Sequence, residues 1–325
     1  MRAIVIKRCG GPEVLAIEER PAPIPKHGEV LIGVKAFGLN HAEVYMRKGT
    51  WGDVAEITGI ECVGTVRNDP AGRFAQGQKV LAIVGGMGRS RNGSYAELVC
   101  ASASNVAPIE TSLPWDTLAA IPESYATAWT ALHGILEIKS KATIVVRAAT
   151  SALGQAAVNI AADAGLRVIA SSRSRDRAEL LQSLGAQEVL VEATDLSKRV
   201  RESHPEGVDA VLDIVGNTTA LDSLAMLRRR GRVCLVGFLG GGGPLTLDPV
   251  FQIPSGTHLS VFASALVTGT EFFPLSEIPF QQIIDKVSMG AYKAKPSRIF
   301  RFEQIQAAHR LIESNQAGGK VVVLV

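Results

Sequence analysis

Apolar and polar positions fall into two textures along this chain. From Met1 to about Pro114 the apolar residues come in short β-rich runs, Glu29 to Ala36, Gln78 to Val84 and Ser94 to Cys100, punctuated by glycine and proline. Short strands with turn signals between them predict a compact, mostly β, barrel-like domain. From about Leu118 helix and strand patterns alternate. Strands are expected at Ile144, Val168, Val189, Ala210 to Asp213 and Val233 to Gly237, separated by helical stretches such as Asp176 to Leu184 and Thr219 to Arg229. Parallel neighbours need crossovers, so this alternation predicts a parallel sheet with helices on both faces. After about Thr268 the rhythm stops. A helix at Phe280 to Met289, a helix at Phe302 to Ser314 and a strand at Lys320 to Val325 are too little for a domain and are expected to complete the N-terminal one. The expected fold class is therefore α/β, with a doubly wound parallel sheet at 118–267 and a β-rich domain built from 1–117 and 268–325. There is no internal repeat, and the glycine run Gly240 to Gly243 reads as a loop over a site.

The segment Lys141 to Gly165, followed at once by Leu166 to Ser174, reads as strand, turn of tiny residues, apolar helix and second strand. That order is the βαβ unit that holds a dinucleotide pyrophosphate at a helix N-terminus, where unpaired N–H groups and the helix dipole favour anionic oxygens. In the G-x-G-x-x-G register the positions are Ala149, Ser151 and Gly154, so only the last glycine is kept. Ala and Ser are the smallest substitutes that still admit phosphates, although the same pattern suits a crossover that binds nothing. At the end of the second strand an NAD enzyme places an acidic residue on the ribose 2′-OH. Here the chain has Ser171-Ser172-Arg173, with Arg175 and Arg177 beyond. A carboxylate would face the 2′-phosphate of NADPH at a cost of roughly 4 kcal/mol at about 4 Å, whereas hydroxyls and guanidinium groups offer it charge-assisted hydrogen bonds. The pattern therefore favours NADPH, while a solvated helix start remains the plainer account of any single arginine.

Composition narrows the class. The 325 residues are 46% hydrophobic and 20% charged with a formal net charge of +3, which suits a folded enzyme and gives no sequence-wide case for nucleic acid. The four cysteines, Cys9, Cys62, Cys100 and Cys234, are scattered and form no CxxC spacing, as expected of reduced thiols in a cytoplasmic protein. The N-terminal run Met1 to Arg8 is too brief for a signal sequence, and no apolar run approaches bilayer-spanning length. A cytoplasmic, soluble protein with no membrane partner is expected.

The order of parts and several motifs together resemble the medium-chain dehydrogenase/reductase superfamily over the whole chain, and more narrowly its zinc-independent quinone oxidoreductase (zeta-crystallin-like) branch. The motifs are Gly38 to Gly49, Gly93-Ser-Tyr-Ala-Glu97, Pro122 to Trp129, Leu184-Gly-Ala186, Asp213-Ile-Val-Gly216, Ala308-His309 and Gly318-Gly-Lys-Val-Val-Val-Leu324. The resemblance implies a Rossmann sheet plus a GroES-like catalytic domain. It implies that the catalytic zinc ligands of the superfamily's alcohol dehydrogenases fall here on Asn40, Ile60 and Glu123. An amide, an alkyl group and one carboxylate do not replace thiolate and imidazole, so no metal is expected. The cysteine-rich structural zinc lobe is also missing between Val84 and Tyr95, and a makeshift site from His41, Cys62 and Glu61 is the one alternative. For the cofactor, the resemblance puts the pyrophosphate at Thr150, Ser151, Ala152, Leu153 and Gly154, and the 2′-phosphate at Ser172 and Arg177, with Arg173 as a further candidate. It puts Gly216 and Asn217 near the adenosine ribose, and Gly237, Phe238, Leu239 and Thr127 near the nicotinamide. Asn40, Asn315 and Lys320 are expected at the nicotinamide end or the phosphates; for Lys320 a solvated strand-end lysine is the plainer alternative. One departure is Glu192, which stands where the family often has a tyrosine; its charge weakens the preference for NADPH unless it points away or pairs with an arginine.

A metal-free site has no Lewis acid for a plain alcohol or ketone, so hydride transfer suits acceptors that are already electrophilic. The expected activity is NADPH-dependent reduction of a quinone. Two other readings stay open: reduction of an enone, alkenal or enoyl thioester, and a non-catalytic NADPH-binding protein. Asn40 is a candidate oxyanion donor, Tyr45 or Tyr125 a candidate proton donor, and Tyr45, Trp51 and Tyr125 candidate walls of the acceptor pocket. The run His258 to Leu266 reads as an exposed edge strand, the edge that pairs across a two-fold axis in the family, so a homodimer is expected.

Overall fold

A computed structural model describes every residue except Asp53 and Gly242; the expected loop at Gly240 to Gly243 therefore lies partly outside the described residues. The chain forms two compact units, Met1–Ala126 with Ser264–Val325, and Thr127–Ala263.

The first unit is built on β strands: β1 (Arg2–Ile6), β2 (Leu15–Glu19), β3 (Glu29–Leu39), β4 (Glu61–Asn68), β5 (Lys79–Ile83), β6 (Leu98–Ser102) and β7 (Val106–Pro108). The eleven-residue β3 is its spine. It pairs antiparallel with β6 and β4, and its last residues, Ala36 to Leu39, pair with a strand from the far end of the chain. Val30, Ile32, Phe37, Val66, Val80, Tyr95 and Val99 are buried in one continuous core with Ala3 to Val5.

The second unit carries β8 (Thr143–Arg147), β9 (Arg167–Ser172), β10 (Glu188–Val191), β11 (Val208–Asp213), β12 (Leu227–Leu235) and β13 (His258–Val261). They form one parallel sheet in the order β10-β9-β8-β11-β12-β13. This is the doubly wound order, with the direction of winding reversing between β8 and β11, the point at which sheets of this kind bind ligands. Val145, Ile169, Val211 and Val233 fill the centre of the sheet and are fully buried. The chain then returns to the first unit with the helix Phe280–Ser288, β14 (Arg298–Arg301), the helix Ile305–Glu313 and β15 (Val321–Leu324). β15 pairs parallel with β14 and antiparallel with β3, with Leu39 opposite Val321.

Three expectations are corrected. The strand expected from Ser94 starts at Leu98, because Tyr95 turns into the core and stacks on Phe37 while Ala96 makes only an isolated bridge to Ala3. The helix expected to reach Arg229 ends at Ala225, and Arg228 to Arg230 belong to β12, where Leu227 pairs with Val208; sheet pairing overrides the helix propensity of arginine. The edge strand expected through Leu266 stops at Val261, after which Phe262 is buried and Ser264–Val267 is helical. β13 is nevertheless the outer strand of the sheet, with Val261 60% exposed. Among the described residues no helix is long and apolar enough to cross a membrane.

The turn after β8 depends on close backbone packing. Ser151 caps the helix Ala152–Asp163, its Oγ accepting from Gly154 N at 3.1 Å. A Cβ on Gly154 would lie 2.6 Å from both the Ala148 carbonyl oxygen and Ala149 Cα. Gly154→Ala is therefore expected to destabilise the protein by about 1–3 kcal/mol, because the helix must back away from the turn. Urea unfolding checks this, and an unchanged midpoint contradicts it.

Candidate active site

In the second unit the site grows from the carboxyl ends of β8, β9, β11 and β12. Ala148 takes a left-handed conformation (φ 57°), which for a non-glycine residue is sustained only by its surroundings. Its N–H donates to Ser171 Oγ (3.1 Å) and the next N–H, of Ala149, donates to the Ser171 carbonyl (3.0 Å). The chain is thus turned so that Thr150 and Ser151 lead into a helix whose first N–H groups have no partners within it. Gly216 (φ 101°) and Gly237 keep the two neighbouring loops in contact, since a Cβ on Gly216 would lie 2.5 Å from the Gly237 oxygen and one on Gly237 2.5 Å from the Ile214 oxygen. Asn217 donates to the Gly243 carbonyl (2.8 Å), Phe238 is exposed and Leu239 half-buried. Thr127 is buried in the helix Pro122–Trp129.

Beneath this turn lies a charge cluster that sequence reasoning missed. Arg147, fully buried at the end of β8, stands opposite Asp213 in the sheet. Its guanidinium pairs with Glu192 and with Asp222 (2.8 Å) and donates to Ser223 Oγ (3.1 Å). Burial works against its charge, but Glu192, Asp213 and Asp222 outweigh burial and raise its pKa. Asp213 in turn accepts from Gly216 N (3.0 Å), Thr219 Oγ1 and Ser223 Oγ, so the same cluster fixes the loop of Gly216. Glu192 is thereby answered: one oxygen is held by Arg147 and the other accepts from Ser171 Oγ at 2.5 Å. Beside it Ser172 is buried, accepting from Ser174 N, while Arg173, Arg175 and Arg177 are exposed, and Arg177 makes no ion pair among the described residues.

The first unit holds a second buried polar cluster. The antiparallel pairing of Leu39 with Val321 sets Asn40 and Lys320, 280 positions apart, side by side. Lys320 Nζ donates to Asn40 Oδ1 (2.7 Å) and to Glu61 Oε1. Asn40 Nδ2 donates to Glu61 Oε1 at 2.8 Å and, at the long limit of 3.5 Å, to Glu43 Oε1. Glu61 Oε2 accepts from Glu123 N (2.9 Å), and Glu123 Oε1 from Ser264 Oγ (2.5 Å). Room for the pair exists because position 38 is glycine: a Cβ there would lie 2.3 Å from Lys320 Cε and 2.6 Å from Glu61 Oε1. Asn40 also begins the helix His41–Lys48, with Glu43 reaching back to its N–H at 2.8 Å. Burial, with the nearby Glu61 charge adding to it, pushes the Glu43 carboxyl up to about 7 despite its bonds from backbone N–H groups. Lys320 is thus a buried partner of Glu61 and Asn40, not a solvated lysine.

The helix His41–Lys48 carries Tyr45, one of the residues expected to line the acceptor pocket. His41 bonds Asn315 Oδ1 (3.0 Å), and Tyr45, whose hydroxyl pKa is raised by burial, meets Trp51 edge-on at 6.3 Å. Tyr125 is buried and stacks on Tyr292 at 5.7 Å. Among the described residues no group of three or more His, Cys, Asp or Glu is placed to hold a metal. The makeshift set does not assemble, because Glu61 is engaged by Lys320, His41 faces Asn315, and burial holds the Cys62 thiol protonated.

Fold and site define a pyridine-nucleotide oxidoreductase architecture, and comparison with known proteins agrees. The alcohol dehydrogenase GroES-like domain family matches residues 26–111 and the zinc-binding dehydrogenase family residues 152–278. The chain belongs to the medium-chain dehydrogenase/reductase superfamily. Rat quinone oxidoreductase is 29% identical over 343 residues, covering 100% of this chain and 98% of its own. Within the superfamily the chain falls in the quinone oxidoreductase branch. A mycobacterial protein solved in complex with NADPH is 29% identical with a TM-score of 0.87 and full coverage of both chains. An NAD-dependent alcohol dehydrogenase is also 29% identical with a TM-score of 0.83 and full coverage, so the architecture alone does not choose the cofactor.

The raised Glu43 pKa gives a pH signature. A carboxyl protonated more readily in the folded than in the unfolded state contributes stability that is present below pH 4.5 and lost as pH rises through about 7. Glu43→Gln is therefore expected to gain on the wild type by on the order of 2–3 kcal/mol between pH 4.5 and pH 8. Urea unfolding at the two pH values measures the difference, and a gap that does not change with pH contradicts the assignment.

Proposed function

We propose that this protein reduces quinone-like acceptors with NADPH and without a metal ion. The observation that carries the cofactor choice is the sequestration of Glu192 by Arg147 and Ser171, which removes the one carboxylate expected to oppose a 2′-phosphate beside Ser172, Arg173 and Arg177. The NADPH complex of the mycobacterial relative supports the same choice. The residues present fit the nucleotide: the capped helix at Ser151 with its unpaired N–H groups suits the pyrophosphate, and the close glycine pair Gly216 and Gly237 leaves backbone open to approach. Bound NADPH supplies the hydride.

The chain's own part is to bind, orient and accommodate charge. Asn40 is locked on Lys320 and Glu61, but its second N–H is held only by the 3.5 Å contact to Glu43 and is the one free to turn to an oxygen gaining negative charge. Tyr45 and Trp51, set edge to face, offer apolar ring surfaces to an acceptor, and the Tyr45 hydroxyl stays protonated at neutral pH as a candidate proton donor. Asn40, Ile60 and Glu123 do not form a zinc donor set, which supports an acceptor that needs no Lewis acid. A conjugated enone meets the same requirement and is the second acceptor class to screen. The exposed strand β13 supports pairing with a second copy, making a homodimer.

Two measurements test this. Arg177→Ala is expected to weaken NADPH binding about tenfold and leave NADH binding unchanged, as followed by cofactor fluorescence; an equal loss for both contradicts the phosphate contact. Exhaustive dialysis against a chelator is expected to leave NADPH-dependent quinone reduction intact. Loss of activity restored by zinc, or one zinc per chain by elemental analysis, contradicts the metal-free reading.

A further inference from the structure

We propose that Arg89 is an anion anchor for the acceptor, and that the preferred substrates are flat conjugated acceptors carrying a carboxylate, sulfonate or phosphate substituent. This rests on the acceptor reading above and narrows it. Several arginines of the first unit are held by carboxylates: Arg2 by Glu97 and Glu303, Arg20 by Glu18 and Glu56, Arg47 by Glu313, and Arg91 by Glu29. Arg89 makes no ion pair or side-chain hydrogen bond among the described residues, although its Nε is buried. A desolvated guanidinium N–H without an acceptor is costly, and an anionic ligand removes that cost.

Its position relates it to the candidate acceptor face. The guanidinium lies over Trp51, 5.5 Å from the ring centroid; Trp51 meets Tyr45 at 6.3 Å, and Tyr45 lies 6.3 Å from His41, the neighbour of Asn40. A planar acceptor along this row would place its electrophilic carbonyl at the Asn40 end and an anionic substituent at the Arg89 end. The loop is built to hold the arginine there. Gly85, Gly86 and Gly88 all have positive φ, the Gly88 carbonyl accepts from Ala55 N (3.2 Å), and Arg89 N closes a turn on the Gly86 carbonyl (3.0 Å). A Cβ on Gly88 would lie 3.0 Å from Gly59 N, so the loop is seated against the backbone ahead of β4.

The test compares 1,2-naphthoquinone with 1,2-naphthoquinone-4-sulfonate, with NADPH, in the wild type, Arg89→Gln and Arg89→Lys. The ratio of kcat/KM, sulfonate over neutral quinone, is expected to fall about tenfold in Arg89→Gln, mainly through KM, and to be partly restored in Arg89→Lys, which keeps the charge but not the planar fork. An unchanged ratio overturns the proposal, as does an equal fall for both quinones, the mark of an arginine that only braces Trp51. Calorimetric titration of the NADPH-loaded protein with naphthalene-2-sulfonate gives a readout independent of turnover. If neither quinone is reduced, the quinone reading fails, while a Kd about tenfold weaker in Arg89→Gln still supports the anchor and an unchanged Kd overturns it.

Discussion

The buried pair between Lys320 and Glu61 is the constraint on which the first unit's site depends. An ammonium and a carboxylate removed from water are tolerable only when their remaining hydrogen bonds are met, and losing one partner from such a pair costs about 3–5 kcal/mol. Here Asn40 and the Glu123 N–H supply the missing bonds. The pair can form only if β15 lies against β3 in a single register, because a slip of one residue would turn Lys320 to the opposite face. The charges therefore fix register, and register fixes where the helix beginning at Asn40 presents His41 and Tyr45. Gly38 completes this arrangement by leaving the space that any side chain would fill.

The second unit follows the same logic with the signs exchanged. One buried arginine, Arg147, gathers Glu192, Asp222 and Asp213 beneath the turn after β8. Asp213 orders the loop of Gly216 through backbone N–H groups, and Glu192 with Ser171 orders the turn at Ala148. The loops after β8 and β11 are thus both tied to a single guanidinium. A turn with Ala149 and Ser151 where the consensus has glycine can still take the required backbone because these bonds hold Ala148 in its left-handed conformation.

Much of this architecture was legible in the residues. Alternating helix and strand patterns pointed to the parallel sheet, and the tiny residues between Arg147 and Gly154 to the tight turn between β8 and the following helix, because both signals are local. The boundaries that slipped, at Tyr95, Arg228 and Leu266, are places where a tertiary partner decides: a core ring for Tyr95, a neighbouring strand for Arg228, the chain's turn back to the first unit for Leu266. Neither charge cluster could be read locally. Arg147 looks like the polar end of a strand and Lys320 like a solvated lysine, and their partners lie 45 and 259 positions away. The sequence clue that did exist was a charged residue at the inner end of a run otherwise made of Val and Ile, since burying it demands an opposite charge nearby.

The same clusters bear on how an oxidoreductase of this superfamily could work without zinc. A metal would bring charge to the developing oxyanion directly and would itself organise its ligands. On the proposed metal-free reading, with an amide at Asn40 and an alkyl group at Ile60, alignment would come from a protein charge held where water cannot screen it. Lys320 has that property: it is almost fully buried, its amine is shared between Glu61 and Asn40, and it aligns the amide while its own charge is spent on Glu61. On the proposed reading the site orients a hydrogen-bond donor strongly and polarises substrate weakly. That combination favours acceptors that arrive electrophilic and penalises plain ketones, and it places the burden of selectivity on the acceptor wall formed by Tyr45, Trp51 and Arg89.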